Sequence, residues 1–174
     1  GLTRPELSVL ISYSKIDLKQ ALLKSSLPDD EYLAREMHTA FPERLTATFG
    51  DAMRRHRLKR EIVSTQIAND LVNHMGITFV QRLKDSTGMS EANVAGAYVI
   101  VRDVLRLPHW WQQIEALDYQ VPAELQLSLM DELMRLGRRA TRWFLRSRRN
   151  GLDAARDVAH FAPQILDLAN KLDG

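Results

Sequence analysis

The chain has 174 residues, 45% of them hydrophobic and 26% charged, with a formal net charge of +2. That is the length and composition of one ordinary globular domain with its own core, and it excludes disordered and fibrous classes. Cysteine is absent, which excludes disulfides, thiol nucleophiles and Cys-ligated zinc, and permits a reducing compartment.

No apolar run approaches the ~20 residues that a membrane span needs, and the start lacks the basic-then-apolar pattern of a signal peptide. A first residue of Gly1 rather than Met fits an excised fragment or a cleaved tag.

Helix signals dominate in chain order. Thr3-Arg4-Pro5-Glu6 has the form of a capping box with proline in the first turn, which predicts a helix from about Arg4. Ser14 and Asp17 offer a second start or a bend. Leu27-Pro28-Asp29-Asp30 is a break that caps a short helix over 31–39. Phe41-Pro42 is another, because the residue before a proline avoids helical dihedrals. A helix then runs from Pro42 toward Phe49, with a pause or kink at Gly50-Asp51.

In the next stretch Leu58, Ile62, Val63, Ile67, Ala68, Leu71, Val72 and Met75 recur at steps of three and four, the spacing of one helical face. Gly76 ends that helix, as glycine commonly does. A further helix covers 77–84 and closes at Thr87-Gly88. Ser90 is the expected N-cap of a helix over 91–106. The compact β-branched run Val99-Ile100-Val101 lies inside its periodic pattern.

Pro108 opens a short helix whose core stripe reads as Trp110, Ile114 and Leu117, which points Trp111 elsewhere. The longest helix is expected over about 122–149, roughly 40 Å at ~1.5 Å per residue. Its two apolar stripes predict neighbours on two sides. Asn150-Gly151 ends it, and Asp153 caps a last helix interrupted by Pro163. The expected fold is all-α: an irregular bundle of about seven to nine helices around the long central helix, with 1–174 as a single helical domain.

Chemistry-bearing motifs are sparse. The eight glycines never form G-x-G-x-x-G, the turn that lets backbone approach a pyrophosphate. No two histidines stand three or four apart, so the helical zinc pattern is missing. No serine lies in a G-x-S-x-G elbow. The reading is therefore no catalytic, cofactor-binding or metal residue in this stretch.

Three surfaces stand out instead. Gln66, Asn69, Asp70 and Asn73 share the side opposite the apolar stripe. Carboxamides there suit hydrogen bonds to protein, within this domain or across a contact, better than plain solvation. Arg135, Arg138, Arg139, Arg142, Arg146, Arg148 and Arg149 follow one another without an acidic residue. Arg139, Trp143 and Arg146 fall on one face, where guanidinium and indole can stack. That run reads as solvated or intramolecularly paired, as a docking face, or as an anion grip. Trp111 is the third candidate, for core or for contact. A second basic group comprises Arg54, Arg55, His56, Arg57, Lys59 and Arg60.

Three segments carry a family resemblance: GLTRPELSVLISYSK (1–15), HRLKREI, ANDLVN, GITFV and RL within 56–83, and LMRLGRRATRW (133–143). Together they resemble the C-terminal region of the large bacterial NAD-specific glutamate dehydrogenases, in order over roughly the first 150 residues. The resemblance implies a fragment of a cytoplasmic enzyme that oxidatively deaminates L-glutamate to 2-oxoglutarate and ammonium while reducing NAD. It implies a nucleotide-binding catalytic domain upstream, whose lysine and aspartate do the chemistry, with nicotinamide accepting hydride from the α-carbon. No residue here matches those motifs, so none is carried over.

The implied partners are the catalytic domain of the same polypeptide and further copies of the parent. NAD is expected in the parent and not on this fragment, and neither membrane nor nucleic acid is an expected partner. Gln66, Asn69, Asp70, Asn73, Trp111, Arg139, Trp143 and Arg146 are the candidate domain-contact residues. The rival reading is a free-standing module that binds an anionic partner through the 135–149 helix.

Overall fold

A computed structural model describes residues 1–148 and 151–172, the side chain of Leu172 excepted. Among the described residues there are nine α-helices and no strand: α1 Arg4–Leu23, α2 Glu36–Thr39, α3 Glu43–Arg54, α4 Lys59–Met75, α5 Phe79–Thr87, α6 Glu91–Val104, α7 Leu107–Glu115, α8 Ala123–Ser147 and α9 Ala154–Leu172. Two 3₁₀ turns, Leu27–Asp29 and Glu31–Arg35, join α1 to α2. The all-α expectation holds. The chain divides into two compact units, Gly1–Ala95 and Gly96–Gly174, which are described separately.

In the first unit α4 is the hub, packing on α1, α2 and both 3₁₀ turns. Its predicted face is buried at Val63, Ile67, Ala68, Leu71, Val72 and Met75. A fully buried Val or Leu contributes about 1.5–3 kcal/mol relative to exposure, so this stripe dominates the unit's energetics. Leu58 lies at the N-cap and stays exposed.

α1 begins as predicted. The Thr3 hydroxyl accepts from the Glu6 N–H while the Glu6 carboxylate accepts from the Thr3 N–H at 2.7 Å. No bend follows at Ser14. Its hydroxyl donates to the Leu10 carbonyl at 2.8 Å, one turn back, and the helix continues to Leu23.

The segment 31–39 is split. Asp30 caps a 3₁₀ turn by accepting from the Tyr32 N–H at 2.8 Å, and α2 follows it. The pause in α3 falls at Phe49, where φ is −121° and ψ 20°.

Arg60 ties this unit together from the start of α4. Its guanidinium donates to the carbonyl of Leu23, the last residue of α1, at 2.8 Å and to that of Ser25, just past it, at 2.9 Å, and pairs with Asp29. The carbonyls at a helix end have no partner within the helix, and the arginine satisfies them. Gly76 (φ 83°, ψ 164°) and Gly88 (φ 71°) terminate α4 and α5.

In the second unit the run Val99-Ile100-Val101 is helical and fully buried. α6 ends at Val104 rather than Arg106, because Arg106 turns left-handed at φ 52°. That turn decides the phase of α7, which buries Leu107, Trp111 and Ile114. α7 packs on α8, and the Gln126 amide donates to the Ile114 carbonyl at 2.9 Å.

α8 is buried mainly in its second half, at Gly137, Thr141, Phe144 and Leu145. The two-sided burial expected of its apolar stripes is not found along its first half, where Leu125, Leu127 and Leu129 are exposed. The expected stop at Asn150 lies outside the described residues. α9 is capped by Asp153, which accepts from the Arg156 N–H at 2.9 Å. It runs through Pro163 without the predicted interruption, losing the one bond that a proline cannot donate.

Candidate domain-contact surfaces

The polar side of α4 presents Gln66, Asn69, Asp70 and Asn73 away from the buried face. Asp70 is engaged on its own helix, its Oδ1 lying 2.8 Å from His74 Nδ1. The side chains of Gln66, Asn69 and Asn73 have no hydrogen-bond partner among the described residues. Interior hydrogen bonding within the domain is thus not what these carboxamides do. Each keeps donors and acceptors free for an external partner or for water. Gln66 also borders a surface groove with Lys19, Phe41, Leu58 and Ile62.

The tryptophans of α7 take opposite positions from those expected. Trp111 is 3% exposed and Trp110 is 48% exposed. The stripe starts at Leu107 instead of Trp110, so steps of four and three select Trp111 and Ile114. Trp111 belongs to the core and offers no face to another domain. Trp110 packs its indole edge-to-face on His109, with centroids 5.4 Å apart, and is otherwise available.

On α8, Trp143 is half exposed and does not stack on Arg139 or Arg146. Its ring meets Phe144 at 5.0 Å and Phe161 of α9 at 5.7 Å, both edge-to-face. Aromatic edge-to-face packing out of water competes well with a cation that loses hydration to stack. Trp143, Phe144 and Phe161 join Ala140, Ile165, Val101, Val104 and Leu105 around an apolar cavity of about 260 Å³.

The basic run divides into paired and unpaired members. Arg135 pairs with Glu132 at 3.0 Å, and Arg148 reaches Asp157 at 3.6 Å. Arg138, Arg139, Arg142 and Arg146 have no ion pair among the described residues, and the buried Nε of Arg142 has no hydrogen-bond partner. Arg149 lies outside the described residues. In the second basic group, Lys59 and Arg60 are paired to Glu31 and Asp29.

Two features went unread in the sequence: the buried carboxylate of Asp157, and the exposure of the α8 leucines. A buried acid in the first turn of a helix is signalled by the arginines at 148 and 156 that flank it. The exposure of the leucines has no signal in this stretch alone, because an apolar stripe reads the same whether its cover lies inside or outside the chain.

This all-helical chain belongs to the family described as glutamate dehydrogenase, C-terminal, which matches residues 1–174. It is 82% identical over 173 residues to the NAD-specific glutamate dehydrogenase of Pseudomonas aeruginosa, covering 99% of this chain and 11% of that protein. The enzymes of that name from Halomonas elongata and Mycobacterium tuberculosis are 52% and 33% identical over 172 residues, again 99% of this chain and 11% and 10% of theirs. The chain therefore spans about a tenth of the length of the curated relatives it matches.

These relatives lend no support to a free-standing anion-binding module, since each carries this stretch inside a far longer chain. The described glycines do not build the usual dinucleotide cradle. A dinucleotide cradle needs a glycine turn between a strand and a helix N-terminus. Here Gly76 and Gly88 instead follow helix C-termini, and no strand is present among the described residues. No described helix is long and apolar enough to cross a membrane.

Proposed function

We propose that residues 1–174 act as one helical C-terminal domain of an NAD-specific glutamate dehydrogenase. The whole polypeptide oxidatively deaminates L-glutamate to 2-oxoglutarate and ammonium with reduction of NAD, in the cytoplasm. NAD and the reacting groups belong to the catalytic domain of the same polypeptide. This segment is structural or regulatory: it packs beside that domain, limits its motion, and joins subunits of a homo-oligomer.

The observation that carries this reading is the match over 99% of the chain to three proteins of that name, 10–11% of each. The partnerless amides of α4 and the exposed leucines of α8 support a role in contact. The test compares the full-length polypeptide, the same polypeptide cut before Gly1, and the segment alone. Glutamate-dependent NAD reduction is expected from the first, a reduced rate from the second and none from the third. Turnover by the segment alone, or none by the full-length polypeptide, overturns the reading.

A further inference from the structure

The longest helix leaves an apolar stripe uncovered. Leu125, Leu129, Leu136 and Trp143 of α8 are between 37% and 50% exposed. Their steps of four and seven place them on one side of the helix, over roughly 27 Å at ~1.5 Å per residue. Half-buried Leu133 and Ala140 fill the gaps. The run 129, 133, 136, 140, 143 thus alternates four and three, the spacing of a coiled-coil seam.

The two ends of the stripe differ in a complementary way. The N-terminal end projects Leu125 and Leu129. The C-terminal end opens into the apolar cavity of about 260 Å³ floored by Ala140, Trp143, Phe144, Phe161 and Ile165. Charge is divided in the same sense, with Glu124 and Glu132 beside the first half and Arg139 and Arg146 beside the second. A parallel partner sets leucine on leucine and arginine on arginine. An antiparallel copy sets leucine on cavity and acid on base.

We infer that α8 pairs antiparallel with α8 of a second copy of this polypeptide, about a two-fold axis near Met134 and Arg135. Leu133 of one copy then meets Leu136 of the other, Leu129 meets Ala140, and Leu125 and Leu129 enter the other copy's cavity. Glu132 comes within reach of Arg139, and the two-fold axis makes every contact twice. Glu132 leaves an exposed pair with Arg135, and exposed pairs are weak. Apolar burial supplies the attraction, and the charges set the direction. The inference deepens the subunit-joining part of the proposed function and rests on it there alone.

The test reverses charge in the full-length polypeptide. Arg139→Glu with Arg146→Glu makes the α8 flank acidic, and Glu124→Arg with Glu132→Arg makes it basic. Each set is expected to weaken self-association roughly tenfold in sedimentation equilibrium. Mixing the two variants, or joining both sets in one chain, is expected to restore it. Circular dichroism checks that the exposed changes leave the helices intact. Unchanged association in both sets overturns the inference and leaves the stripe to another part of the same chain, and weakening without rescue on mixing also overturns it. Glutamate-dependent NAD reduction by the unsubstituted polypeptide reads the proposed function separately, so either can fail without the other.

Discussion

Arg148, just past the end of α8, reaches to 3.6 Å from the fully buried carboxylate of Asp157 in the first turn of α9. Arg156 approaches the same oxygen at 3.4 Å, and the Asp153 N–H donates to the other at 3.4 Å. A carboxylate near a helix N-terminus is favoured by the helix dipole, and two guanidiniums offset its loss of water. One acid therefore ties the residue after α8 to the first turn of α9. Asp157→Ala is expected to lower stability by about 2 kcal/mol, read as a shift in the urea midpoint. A double-mutant cycle with Arg148→Met is expected to show coupling between the two sites.

Ser64 gives the opposite expectation. It lies in the buried face of α4, and its Oγ has no hydrogen-bond partner. A buried hydroxyl without a partner is destabilising, and alanine is the better helix former. Ser64→Ala should raise the urea midpoint, by the equivalent of about 1 kcal/mol. A lower midpoint would show that the hydroxyl is satisfied.

Gly76 sits at φ 83° and ψ 164° between α4 and α5, a region that side-chain-bearing residues almost never enter. Gly76→Ala is expected to destabilise the first unit by roughly 1–3 kcal/mol. Gly50, at a negative φ with open space where a Cβ would stand, is the control. Gly50→Ala is expected to leave the thermal midpoint unchanged or raise it.

The acid limb of stability should carry the mark of Glu91. Its hydrogen bond from Lys84 holds the carboxyl below its ordinary value near 4.5. On acidification the unfolded chain takes up the proton first, so the contribution is present above about pH 4.5 and drains away as the pH falls through the folded value. Lys84→Met should lower the urea midpoint at pH 7, and the gap to the unsubstituted chain should narrow at pH 3. A gap independent of pH assigns the effect to packing.

The carboxamide face separates contact from folding. Asn69→Ala with Asn73→Ala removes no side-chain bond among the described residues, so the stability of the segment is expected to stay within about 0.5 kcal/mol. The full-length polypeptide is expected to lose glutamate-dependent NAD reduction several-fold. Equal activity would assign this face to solvent.

Most of the helices were legible because their caps and periods agree: the Thr3–Glu6 box, the α4 stripe closed by Gly76, the Ser90 and Asp153 caps. What misled was local and has physical causes. Ser14 bonds back to Leu10 instead of capping a new start, and Pro163 forfeits one bond without ending α9. At Arg106 a non-glycine residue turns left-handed, which no propensity suggests, and the choice between Trp110 and Trp111 follows from it. The contact surfaces were legible only as unusual composition. An amide or a leucine on a helix face does not say whether its partner lies in the same fold, and only the described burial and bonding separate Trp111, which is inside, from Trp143, which is half outside.

The corner at Arg106 works as a phase lock. A side chain at φ 52° carries roughly 1–2 kcal/mol of steric opposition, tolerated because Val104 and Leu107 on either side are anchored in the interior. Inserting one residue there would rotate everything downstream by roughly 100° about the axis of α7. One indole would be driven out of the interior and its neighbour drawn in, so the intrinsic fluorescence of this chain reports the handedness of a single arginine.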